Sequence, residues 1–141
     1  MIGLETARKL KSVGLHWEPA QGDRFAVPER GMDDRVFVIN DMATIIEMIH
    51  GAEMVTFHGT PEWALDYVYL GEAVWLPDEG QLRELLADRL ASEGVAVYDL
   101  LFADERFTCR FAWRGEALAF TAGGAAEAYA ASLLHVAVAE A

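Results

Sequence analysis

Cysteine is all but absent from this chain. Cys109 is the one thiol in 141 residues, so no disulfide can form within the chain and no cysteine-based metal site can be built from it. A reducing compartment suits such a composition. Basic residues are scarce as well: 11 Lys and Arg stand against 23 Asp and Glu, the formal net charge is -12, and no lysine follows Lys11. That balance repels phosphate backbones and anionic lipid headgroups. Direct nucleic-acid binding is therefore not expected, and basic patches on other proteins are the favoured partners. Long apolar runs are missing too, since nothing approaches the ~18 uninterrupted apolar residues of a membrane span. Residues 1–14 carry Glu5, Arg8, Lys9 and Lys11 and lack the apolar run of a signal peptide. The alanine-rich stretch 125–139 is interrupted by Glu127, Ser132 and His135 and is too short to cross a bilayer. The expectation is a cytoplasmic protein that does not enter a membrane.

The usual signatures of chemistry are also lacking. There is no GxSxG, P-loop, GxGxxG, CxxC, HExxH or HxH pattern, so hydrolase-elbow, nucleotide, redox and zinc-protease mechanisms have no support in the sequence. The four histidines, His16, His50, His58 and His135, are scattered, and a metal site would need long-range convergence. No metal and no cofactor is expected.

What is present describes a globular α+β protein. With 53% hydrophobic and 24% charged residues, the chain has the composition of one compact domain over 1–141 that removes about two thirds of its unfolded surface from water. Residues 5–13 read as a short helix stopped by Gly14. Residues 15–28 read as short strands joined by a turn, and Val36–Ile39 as a buried strand. Residues 42–50 suit a brief helix ending at Gly51, although Thr44, Ile45, Ile46 and Ile49 also favour strand. Residues 54–58 read as a strand. Thr60-Pro61-Glu62 suits a helix start and predicts a helix over 61–70 with Trp63, Tyr67 and Leu70 on one side.

From residue 78 onward the pattern is clearer. Leu82, Leu85, Leu86 and Leu90 form an apolar stripe on a helix over 78–91. Strands at 95–102, 107–113 and 116–121 are joined by turns so short that they must run as an antiparallel meander. Phe107, Cys109, Phe111 and Trp113 alternate with polar or small residues, which puts Cys109 in the core. A nearly apolar helix over 125–139 follows Gly123-Gly124, with Glu127, Ser132 and His135 on one narrow polar stripe. Residues 78–141 thus form an α-β-β-β-α unit, a three-stranded meander packed by helices. Residues 1–77 form a smaller mixed half that is not independent of it. Double-stranded-RNA-binding domains share this order but grip phosphates with lysine-rich loops; here the second helix starts at Ala125-Ala126-Glu127.

Two groups of residues are candidates for function. His58, Glu62, Trp63, Asp66 and Tyr67 surround the helix start at 61, where aromatic neighbours could shield Asp66 and raise its pKa for ligand binding or acid–base work. Trp75 beside Pro77, with Tyr129, Leu133 and His135 on the terminal helix, could form an interface.

The stretches Gly14-Leu15-His16-Trp17-Glu18-Pro19, Gly22-Asp23-Arg24-Phe25, Pro61-Glu62-Trp63-Ala64-Leu65-Asp66, and Trp75-Leu76-Pro77 with Gln81-Leu82-Arg83-Glu84-Leu85-Leu86 resemble short bacterial, chiefly actinobacterial, proteins often labelled as pilus-assembly proteins. The resemblance also takes in Glu127-Ala128-Tyr129 and Leu133-Leu134-His135. It implies a small cytoplasmic bacterial protein and carries no catalytic residue with it. The phosphate-binding loop and larger ATPase domain of the pilus-assembly ATPase have no counterpart here.

The functional expectation is a non-catalytic protein-interaction domain able to self-associate as a homodimer, motivated by the apolar terminal helix. Two alternatives stand beside it. One is a small-molecule or metal-binding enzyme built on His58, Glu62, Trp63, Asp66 and Tyr67, and the other is an acidic decoy that imitates DNA.

Overall fold

The computed structural model describes residues 1–28, 35–40, 44–57 and 67–138. Among them the elements are, in chain order, α1 (Leu4–Ser12), β1 (Arg24–Ala26), β2 (Phe37–Val38), β3 (Thr44–Ile49), β4 (Ala52–Phe57), β5 (Tyr67–Tyr69), a 3-10 turn (Leu70–Glu72), β6 (Val74–Trp75), α2 (Glu79–Ala91), β7 (Tyr98–Ala103), β8 (Arg106–Trp113), β9 (Glu116–Ala122) and α3 (Ala125–Val138). The fold is α+β, with three small antiparallel sheets ordered β2-β1-β6, β3-β4-β5 and β7-β8-β9. Contacts divide the chain into two compact units, one of Met1–Leu15 with Pro77–Ala141 and the other of His16–Leu76. The first helix therefore belongs with the C-terminal meander.

In that first unit, local chemistry sets the helix ends. Asp78 caps α2 by accepting from the Gln81 N–H at 2.8 Å, while the Gln81 side chain accepts from the Asp78 N–H at 2.9 Å. This reciprocal box satisfies two of the donors that a helix start leaves open. At the other end Gly94 is left-handed, and the Val95 and Gly94 N–H groups donate back to Leu90 and Ala91. α1 ends the same way on Gly14, with Leu15 donating to Leu10 and Gly14 to Lys11. The α1 N-cap, Gly3, has no side chain to offer. Glu127 of α3 supplies the missing carboxylate, accepting from the Gly3 N–H at 2.9 Å and the Thr6 hydroxyl at 3.1 Å.

α3 packs against β8, β9, α2 and α1. Ala125, Ala126, Ala128, Tyr129, Ala130, Ser132, Leu133 and Val136 are all buried, which is the condition of a helix that is apolar nearly all round. Leu82, Leu86 and Leu90 of α2 lie on its buried side, each stabilising the fold by about 1.5–3 kcal/mol relative to exposure. The polar stripe expected on α3 is only partly realised. Ser132 is 0% exposed, and its hydroxyl donates to the Ala128 carbonyl at 2.9 Å, one turn back along the helix, so it needs no water. Cys109 is a core residue at 0% exposure, as the alternation of β8 indicates, and burial pushes its thiol pKa up.

The second unit is built on the ladder Phe25↔Phe37 and Phe25↔Trp75. Phe25, Val27, Phe37, Ile39, Val55 and Ala73 form its core, with Trp17, Ile46 and Leu70 packed at the margin. Asp23 is buried and accepts from the Trp17 indole N–H at 2.9 Å and the Ala20 N–H at 3.0 Å, which closes the turn before β1. Two expectations are corrected here. Residues 44–49 form strand β3, because its β-branched residues prefer the pleated ladder and a two-residue turn at His50-Gly51, both left-handed, returns the chain antiparallel along β4. Residues 67–69 are also strand, held by Tyr67↔Thr56 and Met54↔Tyr69 pairing, so the helix read over 61–70 does not extend through them. Residues 61–66 lie outside the described residues.

The hairpins β7–β8 and β8–β9 turn on Asp104-Glu105 and Arg114-Gly115, again with positive φ at both positions. Glycine makes that conformation easy at 115, whereas Glu105 holds φ 61 with a side chain attached. Replacing Glu105 with glycine should therefore stabilise the protein by about 1 kcal/mol, and Asp78→Ala should destabilise it by about the same amount. Urea unfolding followed by circular dichroism measures both. Cys109 should resist iodoacetamide in the native state and be alkylated only as fast as the fold opens, which mass spectrometry across a urea series reads directly.

Candidate interaction surface

β7, β8 and β9 have two faces of opposite character. The inner face carries Tyr98 and Leu100 on β7, Cys109, Phe111 and Trp113 on β8, and Leu118 and Phe120 on β9, and it meets α3. Tyr98 stands edge-on to Tyr129 with ring centroids 6.2 Å apart, and Phe120 lies 5.3 Å from the His135 ring. At one end of the sheet the Arg89 and Arg114 guanidiniums stand 4.9 and 5.0 Å from the Trp113 ring centroid. Glu93 links them, 2.7 Å from Arg114 and 3.6 Å from Arg89. The Arg114 hydrogen bond holds the Glu93 carboxyl below the usual glutamate range. This cluster ties the end of α2 to the end of β8.

The outer face bears no helix among the described residues. Arg110 forks onto Asp99 across the β7–β8 ladder, Nε to Oδ1 at 2.8 Å and Nη2 to Oδ2 at 3.0 Å. Thr108 and Thr121 share a hydroxyl hydrogen bond of 2.8 Å beside it. Three alanines, Ala112, Ala117 and Ala119, leave a shallow trough of ~460 Å³ bordered by Val97, Asp99 and Arg110. A trough floored by methyl groups and walled by an already neutralised ion pair suits an apolar side chain of a partner better than a charged one.

β7 is an edge strand among the described residues, and it carries exposed apolar side chains on both sides. Val97 is 76% exposed and Leu101 43% exposed on or beside the outer face. Phe102, on the inner face near the hairpin tip, is 64% exposed although its ring packs 4.9 Å from Phe107. Free edges of this kind are normally blunted by lysine, proline, a bulge or a covering loop. β7 holds neither lysine nor proline, and its ladder with β8 is unbroken from Tyr98 to Ala103.

Of the residues picked out from sequence as ligand-binding, His58, Glu62, Trp63 and Asp66 lie outside the described residues, and Tyr67 opens β5 opposite Thr56. Of the interface candidates, Tyr129 and Leu133 are buried inside their own unit and His135 is exposed. Trp75 belongs to the other unit, where it is half-buried and stacked on Trp17 with ring centroids 6.2 Å apart. Sequence reasoning missed Val97, Leu101 and Phe102. The available signal was Leu100-Leu101-Phe102, three consecutive apolar residues that make both faces of an outer strand hydrophobic. Among the described residues no cluster of three His, Cys, Asp or Glu could hold a metal, and no helix is long and apolar enough to cross a membrane.

No family model matches the chain, and no curated protein or solved structure matches it either.

The hydrogen-bonded fork from Arg110 holds the Asp99 carboxyl below the usual aspartate range. A depressed carboxyl stabilises the fold above its unfolded pKa, and that contribution disappears as pH falls through the lower folded value. An NMR titration of the Asp99 side-chain carbonyl should therefore show an acid-shifted midpoint that moves back up in an Arg110→Gln variant.

Proposed function

We propose that this chain is a non-catalytic protein-interaction domain of the cytoplasm, binding its partner along the β7 edge and the outer face of the β7-β8-β9 sheet. The observation that carries this reading is the exposure of Val97, Leu101 and Phe102 around an edge strand that has no lysine, proline or bulge and pairs with β8 alone among the described residues. An extended segment can add to such an edge through main-chain hydrogen bonds while its side chains settle on the apolar positions. The trough supplies a seat for one of them, and the Asp99–Arg110 fork beside it presents fixed polar groups that orient a partner without leaving an unpaired charge. The lone, buried thiol suits a reducing compartment.

The test is a comparison of the wild-type chain with a Leu101→Lys, Phe102→Lys double variant whose circular dichroism is native. Binding to a partner retained from a lysate of the native cells, or to a second copy of the chain, should weaken at least ~10-fold in the variant, equivalent to about 1.4 kcal/mol. Equal binding by both proteins, or no association of any kind by the wild type, would remove the reading.

A further inference from the structure

The β7 edge is self-complementary about Leu100, and we propose that its occupant is a second copy of this chain. The two β7 strands add antiparallel across a two-fold axis and join the two meanders into one six-stranded sheet. This inference rests on the interaction-surface reading above and names its partner.

The backbone supplies the register. The two-residue turn at Asp104-Glu105 closes on the pair Ala103↔Arg106, and in a tight hairpin that closing pair exchanges hydrogen bonds. Hydrogen-bonded pairs then alternate, so Leu101 and Asp99 bond to Thr108 and Arg110 of β8. The N–H and C=O groups of Tyr98, Leu100 and Phe102 consequently point outward from the edge. Only residues with outward-pointing groups can pair across a new junction. The two-fold arrangement centred on that row sets Leu100 against its own counterpart and Tyr98 against the second copy's Phe102.

Side chains agree with this register. Antiparallel neighbours share a face, so Tyr98, Leu100 and Phe102 meet their counterparts on the side that carries α3. The exposed ring of Phe102 gains the second copy's Tyr98 as an aromatic neighbour. α3 packs chiefly over β8 and β9, and Phe102 at the hairpin end of β7 stays 64% exposed. On the outer face Leu101 lies opposite the second copy's Asp99 and diagonal to its Leu101 and Val97. The four exposed aliphatic side chains of the pair thus form one row.

Charge does not oppose the centre of the junction, because Asp99 is already neutralised by Arg110 within each chain. The acidic turn Asp104-Glu105 of one copy runs toward the other copy's Val95 and Ala96, near the cluster in which Glu93 bridges Arg114 and Arg89. The net charge of -12 on each chain opposes association from a distance. Added salt screens that repulsion and should tighten the dimer, the opposite of its effect on an acidic protein binding a basic partner.

Sedimentation velocity on the full chain between about 1 and 100 µM, the weak end of the affinities that interfaces of ordinary size reach, should show a species of twice 15.6 kDa whose fraction rises with NaCl. Phe102→Lys should abolish it with an unchanged circular dichroism spectrum. A register test accompanies this. In a Cys109→Ala background, which removes the thiol directly opposite on β8, Leu100→Cys places two thiols of the pair on residues about 5.5 Å apart at Cα, within the span of a disulfide, and should oxidise to a covalent dimer. Ala103→Cys in the same background, more exposed than Leu100 but offset by six residues and about 20 Å from its counterpart, should not. A wild-type monomer throughout the range, or equal cross-linking of the two cysteine variants, overturns the second copy as occupant. If the chain is monomeric yet captures another protein in a manner that depends on Leu101 and Phe102, the surface reading stands and only its occupant is wrong. If both assays are empty, the surface reading fails as well.

Discussion

Burial of α3 is the constraint on which the larger unit depends. Alanines at 126, 128 and 130 bring its backbone close to its neighbours, and Tyr129, Leu133 and Val136 fill the remaining space. The inner face of the β7-β8-β9 sheet, the leucines of α2 and the apolar side of α1 all lie in contact with this one helix or next to it. A helix made mostly of small residues has little surface of its own to bury per turn. It earns its place by letting larger side chains from several elements reach across it, and a bulkier residue at Ala128 or Ala130 would force them apart.

Polar groups placed at the margins make that packing specific. Glu127 sits in the first turn of α3 and caps α1, so the chain's opening helix is positioned by a residue more than a hundred places away. At the far end of the sheet, Glu93, Arg89 and Arg114 gather around Trp113 and fix the exit of α2 relative to β8. One device is a helix cap made of two hydrogen bonds and the other a set of partly exposed ion pairs, which solvent screens. Their effect is geometric. They set the angle at which each element enters the α3 contact.

A three-stranded sheet with a helix on one face retains an open face and two edges. On β9 the outer positions are Ala117, Ala119 and Thr121, and on β7 they are Asp99 and Leu101, with Val97 just before the strand. The unit therefore places small and apolar groups where a surface strand would ordinarily carry charge, in a chain that has acidic residues in excess elsewhere. The proposed role in association rests on this contrast. The same apolarity in α3, which from sequence alone suggests an interface, is consumed internally.

Much of the architecture was legible before any coordinates. The leucine stripe, the alternation along β8, and the short turns that force a meander rest on neighbours within a few residues of one another, where backbone geometry and side-chain period dictate the outcome. Strand β3 was ambiguous because an isoleucine-rich segment of six residues satisfies both periods. Its pairing with β4, a contact outside its own window, resolved it. The placement of α1 beside α3, the burial of Ser132 and the exposure of β7 could not be read at all. Each depends on which face of a distant element arrives to cover it, and periodicity reports only that a face is apolar. Sequence by itself determined the elements from residue 78 onward and the core positions of Cys109 and the α2 leucines; tertiary structure alone decided which apolar surfaces were covered within the chain and which were left exposed, because burial is a property of the assembled neighbours.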